Sequence, residues 1–220
     1  AAYALDELAA DVIGLMDAAG RDRAFLVGHD WGAAVAWWVA QTHPERVARL
    51  VVINVPHPAV MLAHLRGSLA QLLKSWYIFF FQLPWLPEWS LSLANWRGLT
   101  RALRTGTRPG AFTEADLDAY REAWSRPQAV RSMLNWYRAI VRRPPPMPAE
   151  PRITVPTLML WGVNDLALSR ELAPPSIDLC DDGRLVFFED ASHWVHHEEP
   201  ERVNELIGAF LGAEAPSPVA

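Results

Sequence analysis

Ala24-Phe25-Leu26-Val27-Gly28-His29-Asp30-Trp31-Gly32-Ala33-Ala34-Val35-Ala36 is the stretch on which the fold turns. A short apolar run of strand type, Ala24 to Val27, meets a tight turn with glycines at 28 and 32, and then a small-residue helix from Ala33 to Gln41. A side chain placed on such a sharp strand-to-helix turn is pushed out of the backbone, while the amides opening the helix point at any oxyanion that forms there. Asp30 holds that position. Taken alone, an aspartate before a helix is more often an N-cap than a nucleophile, so the order of the surrounding elements has to decide.

Downstream, Leu50 to Val55 follows Pro44 as a continuous, largely β-branched run, the pattern of a parallel strand covered on both faces, and the unit reads as βαβ. Upstream, Leu5, Leu8, Val12 and Leu15 recur at helical spacing and stop at Gly20. The sequence opens at Ala1 with no strand leading into that helix, so the chain is expected to begin partway through a fold, leaving the strand at Phe25 as an apolar edge.

Beyond Pro56 the character changes. Six tryptophans, at 76, 85, 89, 96, 124 and 136, lie among helical patterns and many arginines, with few strand signals, as an inserted helical lid would. Pro144-Pro145-Pro146-Met147-Pro148 can neither continue a helix nor join a sheet ladder, because proline lacks the donor and fixes its own φ, and it reads as a stiff return to the core. Strands follow at Thr157 to Trp161 and Leu185 to Phe188, then an amphipathic helix from Pro200 to Leu211. The expected organisation is α/β, a mostly parallel sheet flanked by helices. Core is assigned to 1–56 and 149–212, lid to 57–148, and a disordered tail to 213–220.

Composition narrows the function. With 220 residues the chain can bury one substantial core. The net charge of −5 is spread along it without a basic stripe, which argues against a nucleic-acid partner. The single cysteine, Cys180, excludes an intramolecular disulfide and weakly favours the cytoplasm, and no Cys/His cluster has metal-ligand spacing. The longest apolar aromatic run, Trp76 to Phe81, is cut by Gln82 and Pro84 and is far too short to span a bilayer. No phosphate-binding glycine loop suggests a nucleotide.

Gly28-His29-Asp30-Trp31-Gly32-Ala33 resembles the nucleophile elbow of the epoxide hydrolase and haloalkane dehalogenase branch of the α/β-hydrolases, and the resemblance covers nearly the whole chain. It implies Asp30 as nucleophile. Trp161-Gly162-Val163-Asn164-Asp165 is similar to the turn carrying the family's triad acid, which gives that role to Asp165, although Asn-Asp is equally good turn-forming chemistry. Glu189-Asp190-Ala191-Ser192-His193-Trp194 resembles the loop bearing the catalytic base, which points to His193 over its neighbours His196 and His197. Nucleophile, acid and histidine then stand in the chain order of the family.

A carboxylate at the elbow can displace a leaving group at an sp³ carbon and form an alkyl ester, which histidine-activated water would hydrolyse. Two electrophiles suit it, an epoxide or an alkyl halide. Tyr77, in Trp76-Tyr77-Ile78-Phe79-Phe80-Phe81-Gln82-Leu83-Pro84, and Tyr137, in Asn135-Trp136-Tyr137-Arg138, resemble the paired lid tyrosines of the epoxide hydrolases, which would donate to the opening ring oxygen. Both could instead be packing residues of an aromatic stripe. The Trp31 backbone N–H is implied in the oxyanion hole, and its indole keeps dehalogenation as the alternative. The expected substrate is a small apolar epoxide with water as co-substrate, and no metal or cofactor is required.

The family's upstream strands and His-Gly-x-Pro loop, which supplies a second oxyanion donor, have no counterpart in the sequence. A third reading is therefore an inactive fragment or a binder of apolar ligands.

Overall fold

In the computed structural model, which describes residues 2–67, 75–146 and 150–212, the decisive stretch forms strand β1 (Ala24–His29) and helix α2 (Trp31–Thr42), preceded by α1 (Leu5–Ala18). A 3₁₀ turn at Pro44–Arg46 leads into β2 (Val47–Ile53). Helices α3 (Pro58–Gly67), α4 (Trp76–Phe80), α5 (Leu86–Thr105), α6 (Glu114–Ser125) and α7 (Ala129–Arg142) lie between β2 and the next strand, β3 (Thr157–Gly162). The chain then runs through a 3₁₀ turn at Arg170–Leu172, α8 (Ala173–Ile177), β4 (Gly183–Phe188), α9 (Val195–Glu198) and α10 (Pro200–Gly212). Residues 213–220, expected as a tail, and Met147 and Pro148 of the proline stretch lie outside the described residues.

The four strands pair in the order β1-β2-β3-β4, all parallel. The register sets Val27 beside Val51, Ile53 beside Leu160, and Gly162 beside Phe188, so the strands end together at one edge of the sheet. In an open parallel sheet that carboxyl edge is where ligands are met, because the loops leaving it diverge and helix N-termini face it.

Helices cover both faces. On one side Trp37 and Val39 of α2 pack with Leu50, Val52, Met159 and Trp161. On the other, Val51, Ile53, Leu158 and Leu160 meet Val203 and Phe210 of α10. Trp37 and Trp161 are wholly buried, and burying a side chain of such size stabilises by about 1.5–3 kcal/mol or more. The helices between β2 and β3 have their own cluster of Leu103, Phe112, Leu117, Trp124, Val130 and Leu134.

Two local outcomes differ from the sequence reading. Leu15 is 71% exposed and Met16 is buried instead, so the face of α1 that meets α2 is turned by one residue, with Trp38 Nε1 donating to Asp6 Oδ1 at 3.1 Å to fix it. Strand β2 starts at Val47 rather than Leu50 because Arg49 is accommodated inside, 5% exposed, with its guanidinium 5.3 Å from the Phe210 ring. Phe25 and Val27 on β1, the last strand in the order, are half exposed.

Candidate active site

Asp30 stands between β1 and α2 with φ +49° and ψ −128°, a conformation that a non-glycine residue holds only when its surroundings impose it. Its backbone carbonyl accepts from Ala33 N and Ala34 N at 2.9 and 3.1 Å, but its side chain caps nothing. The carboxylate is thereby released from the helix and turned outward. Gly28 makes the turn possible: a Cβ there would lie 2.6 Å from the Gly32 carbonyl oxygen and 2.7 Å from Ala33 Cα. Gly32 has open space where its own Cβ would be, so the spatial constraint falls on the first glycine.

The loops after β3 and β4 bring two more groups to the same edge. His193 Nδ1 donates to Asp165 Oδ2 at 2.7 Å, and its Nε2 faces Asp30 Oδ1 at 3.4 Å. Asp165 is also a turn residue, for its Oδ1 accepts from Ala167 N at 2.8 Å and Leu168 N at 3.0 Å. The turn-forming and site readings of Asp165 are thus both true, one through each oxygen. Gly162 allows the two loops to approach, since a Cβ there would overlap the Ser192 carbonyl oxygen.

Sequence reasoning missed Asn54. One residue past β2, fully buried and at φ +50°, it donates from Nδ2 to Asp165 Oδ2 and to the Gly162 carbonyl, both at 3.1 Å, and accepts from Gly162 N at 2.7 Å. It ties the ends of β2 and β3 and holds the oxygen that faces His193. His29 was also passed over: its Nε2 donates to the His193 carbonyl at 2.9 Å. Glu198 holds the other side of the same loop, accepting from Ser192 N at 2.5 Å, Ser192 Oγ at 3.0 Å and the Arg108 amide at 2.6 Å.

Electrostatics follow from this packing. Burial opposes charge on His193, but the hydrogen bonds and charges of Asp165 and Asp30 win and raise it to about 10. Burial would raise Asp30, yet the His193 hydrogen bond and charge, with the Trp31 amide, hold it below the usual carboxylate range. Asp165 is held low in the same way by His193 and by its own turn amides. His29 is lowered to about 4 by burial and the nearby His193 charge, so it stays neutral. His196, stacked on His29 with centroids 4.3 Å apart, is lowered by burial to about 3, and His197 lies over Phe112. Among the described histidines, only His193 bridges Asp30 and Asp165.

Asp30 opens into a cavity of about 420 Å³ lined by Trp31, Val55, Met61, Tyr77, Tyr137 and Leu168 among others. Tyr77 on α4 and Tyr137 on α7 stand edge to face, centroids 5.7 Å apart, on the side opposite the strand ends. Burial, then the Asp30 charge, pushes Tyr77 to about 12 and Tyr137 higher still, so both keep their protons. The Trp31 ring meets Tyr137 edge-on, centroids 5.0 Å apart. Gln82 Nε2 donates to the Tyr137 carbonyl at 2.9 Å and joins the two tyrosine segments. All of the site residues expected from sequence, Asp30, Asp165, His193, Tyr77, Tyr137 and Trp31, come together here. No group of three or more His, Cys, Asp or Glu among the described residues could hold a metal ion.

The family defined by the alpha/beta hydrolase fold matches residues 1–200. The AB hydrolase superfamily protein YfhM of Bacillus subtilis is 44% identical over 210 residues, spanning 95% of this chain and 73% of that protein. Human epoxide hydrolase 4 is 38% identical over 218 residues, and the chain spans 60% of its length. A crystal structure of Bacillus megaterium epoxide hydrolase in complex with an inhibitor superposes with a TM-score of 0.84 at 28% identity, covering 96% of this chain and 76% of that one.

Proposed function

The chain belongs to the α/β-hydrolase family, and on that premise we propose that it is the catalytic part of an epoxide hydrolase, converting an apolar epoxide and water to a vicinal diol. The observation that carries the proposal is a pair of tyrosines, ring centroids 5.7 Å apart, lining one apolar cavity with the Asp30 carboxylate. Residues 57–148, which supply the tyrosines, act as the lid over the strand ends.

An Asp30 oxygen attacks one ring carbon, and the C–O bond breaks with its electron pair passing to the ring oxygen. Tyr77 and Tyr137 hydrogen-bond that oxygen, and one of them gives it a proton. The product is a hydroxyalkyl ester on Asp30. The ester no longer carries the charge that helped to keep His193 protonated, so the imidazolium gives up its proton, which restores the tyrosinate to tyrosine, and the neutral imidazole becomes a base. His193 Nε2 then takes a proton from water, whose oxygen adds to the ester carbonyl carbon. The oxyanion is held by the amide of Trp31, the residue that follows Asp30 and opens α2. Collapse breaks the acyl C–O bond, releases the diol with a returned proton, and leaves one water oxygen in the Asp30 carboxylate. Asp165 keeps His193 oriented throughout.

Alkyl halide chemistry would need N–H donors for a departing halide, whereas the cavity at Asp30 is lined by two hydroxyl-bearing rings, Tyr77 and Tyr137, suited to a ring oxygen. This favours the epoxide. The test is intact mass after exposing a His193→Gln variant to an aryl or long-chain epoxide: a persistent adduct of substrate mass on Asp30 is expected. An unmodified protein that still forms diol overturns the covalent route, and halide release from haloalkanes without epoxide turnover overturns the substrate class.

A further inference from the structure

The helices between β2 and β3 leave an unusual amount of aromatic surface in water. Trp76 is 63% exposed, Phe79 58%, Trp85 81% and Trp89 60%, with the half-exposed Leu83 and Leu86 between them. Six large apolar side chains exposed within residues 76–89 exceed the scattered single ones of a surface that meets only solvent, and point to an interaction surface.

Trp85 and Trp89 border an open cleft of about 680 Å³ between α5 and α7. Its lining carries Arg126, Arg131, Arg138 and Arg142 against one carboxylate, Glu88. Glu88 is taken by Arg138, Oε1 lying 2.6 Å from Nη1, and Arg126 reaches the exposed Glu122 at 3.5 Å. Arg131 and Arg142 form no ion pair among the described residues; Arg142 donates to the Gln82 carbonyl at 2.8 Å and to Gln82 Oε1 at 3.2 Å, contacts that leave its charge unneutralised. The cleft is thus positive on a chain whose net charge is −5. It also adjoins the catalytic cavity: Phe79 and Val141 line that cavity, and Arg142, the next residue of α7, lines the cleft.

We propose that this face docks on an anionic lipid surface, with the tryptophans entering the headgroup boundary and the arginines of the cleft meeting lipid phosphates. Tryptophan rings, apolar in body with one polar N–H, favour that boundary, and basic side chains beside them add attraction to anionic headgroups. A second copy of the chain fits less well, because a two-fold contact through this face would set arginines against arginines. None of the helices among the described residues is long and apolar enough to cross a membrane. Where the reaction proposed above holds, docking brings the cavity mouth to apolar substrate dissolved in the bilayer. The docking itself does not depend on that reaction.

Co-sedimentation of the 220-residue chain with phosphatidylcholine vesicles, alone or with one part in three phosphatidylglycerol, tests the inference without using turnover. Binding to the anionic vesicles is expected, falling about tenfold in a Trp85→Ser/Trp89→Ser variant, and about tenfold in Arg131→Gln/Arg142→Gln. It should also fall in the unaltered chain as salt rises from about 0.05 to about 0.5 M. Equal binding to both vesicles, or to neither, overturns the proposal. So does a dimer of the unaltered chain, seen by light scattering, that the same substitutions dissolve, for then a second copy covers the face.

Discussion

The two walls of the catalytic cavity are built on different principles. The wall at the strand ends is a closed hydrogen-bonded set: Asp165 accepts from His193, Asn54, Ala167 and Leu168, and the His193 carbonyl accepts from His29. Each group is fixed by backbone that leaves a strand of the parallel sheet. The opposite wall is made of rings on short helices, and its two hydroxyls are placed by edge-to-face packing of Tyr77, Phe81, Trp31 and Tyr137. Under the proposed reaction the first wall would set which bonds can be broken, and the second what is admitted and how its oxygen is held.

The comparison breaks most clearly if the nucleophile is dispensable. Asp30→Ala should lower diol formation by about 10⁴-fold or more and abolish the ester adduct seen by mass spectrometry, since groups acting as a unit fail together. Across the cavity the loss should be smaller. Tyr77→Phe and Tyr137→Phe are each expected to cost about 10²-fold in kcat, in line with removal of a positioned acid, and a single-turnover measurement should place the loss in ester formation rather than in ester hydrolysis. Loss in hydrolysis alone would move the tyrosines to another role.

Asn54→Ala sharpens the contrast from the sheet side. It should lower stability by about 1–3 kcal/mol, because the Gly162 amide and carbonyl lose a buried partner, and slow ester hydrolysis more than ester formation. Thermal melts and single-turnover rates read the two effects separately.

The smallest effect is on stability against pH. His193 rises from its ordinary value to about 10 on folding, so its contribution is fully present below about 6.5 and is lost as pH climbs through about 10. Asp30 and Asp165 are held low, so their contribution is present above about 3.9 and is lost as pH falls through their depressed values. Three histidines act on the acid side: His29 and His57, held at about 4 by burial, and His196, held at about 3, stay neutral in the fold and so cost stability as pH falls below about 6.5, which puts the highest melting temperature near about pH 6.5, with an alkaline decline that should flatten in His193→Gln. An unchanged alkaline limb in that variant would mean that the protonated histidine adds nothing to the fold.

Much of this was readable from the chain, and the division follows physics. The elbow was legible because a β-run, a glycine turn and a small-residue helix are local patterns, and the structure places β1 and α2 around Asp30 accordingly. Asp165 and His193 were picked out only by the resemblance of their loops to those of the family, and the structure brings them to 2.7 Å of one another. Asn54 was not, since it sits at the end of a run that reads as plain strand and acquires its φ of +50° only from contacts with Gly162 and Asp165, more than a hundred positions away. The interruption of α5 at Leu93–Trp96, with Ala94, Asn95 and Trp96 at positive φ, likewise has no glycine or proline to announce it. One further difference has a visible cause: β4 begins at Gly183 because only a residue without a Cβ fits against Ile177 there.

The close approach of Gly162 to the Ser192 carbonyl has a bearing on how this protein can vary. No side chain can be introduced at that point without parting the loops that carry Asp165 and His193, so the strand-end wall has almost no room for inherited or engineered drift. The helices between β2 and β3 meet the His193 loop through the Arg108 amide, held with Ser192 by Glu198, and through Phe112, whose ring centroid is 5.5 Å from that of Trp194. Changes of substrate range are therefore expected to accumulate in cavity side chains such as Phe79 and Ile140, while the hydrolytic half of the site descends almost unaltered.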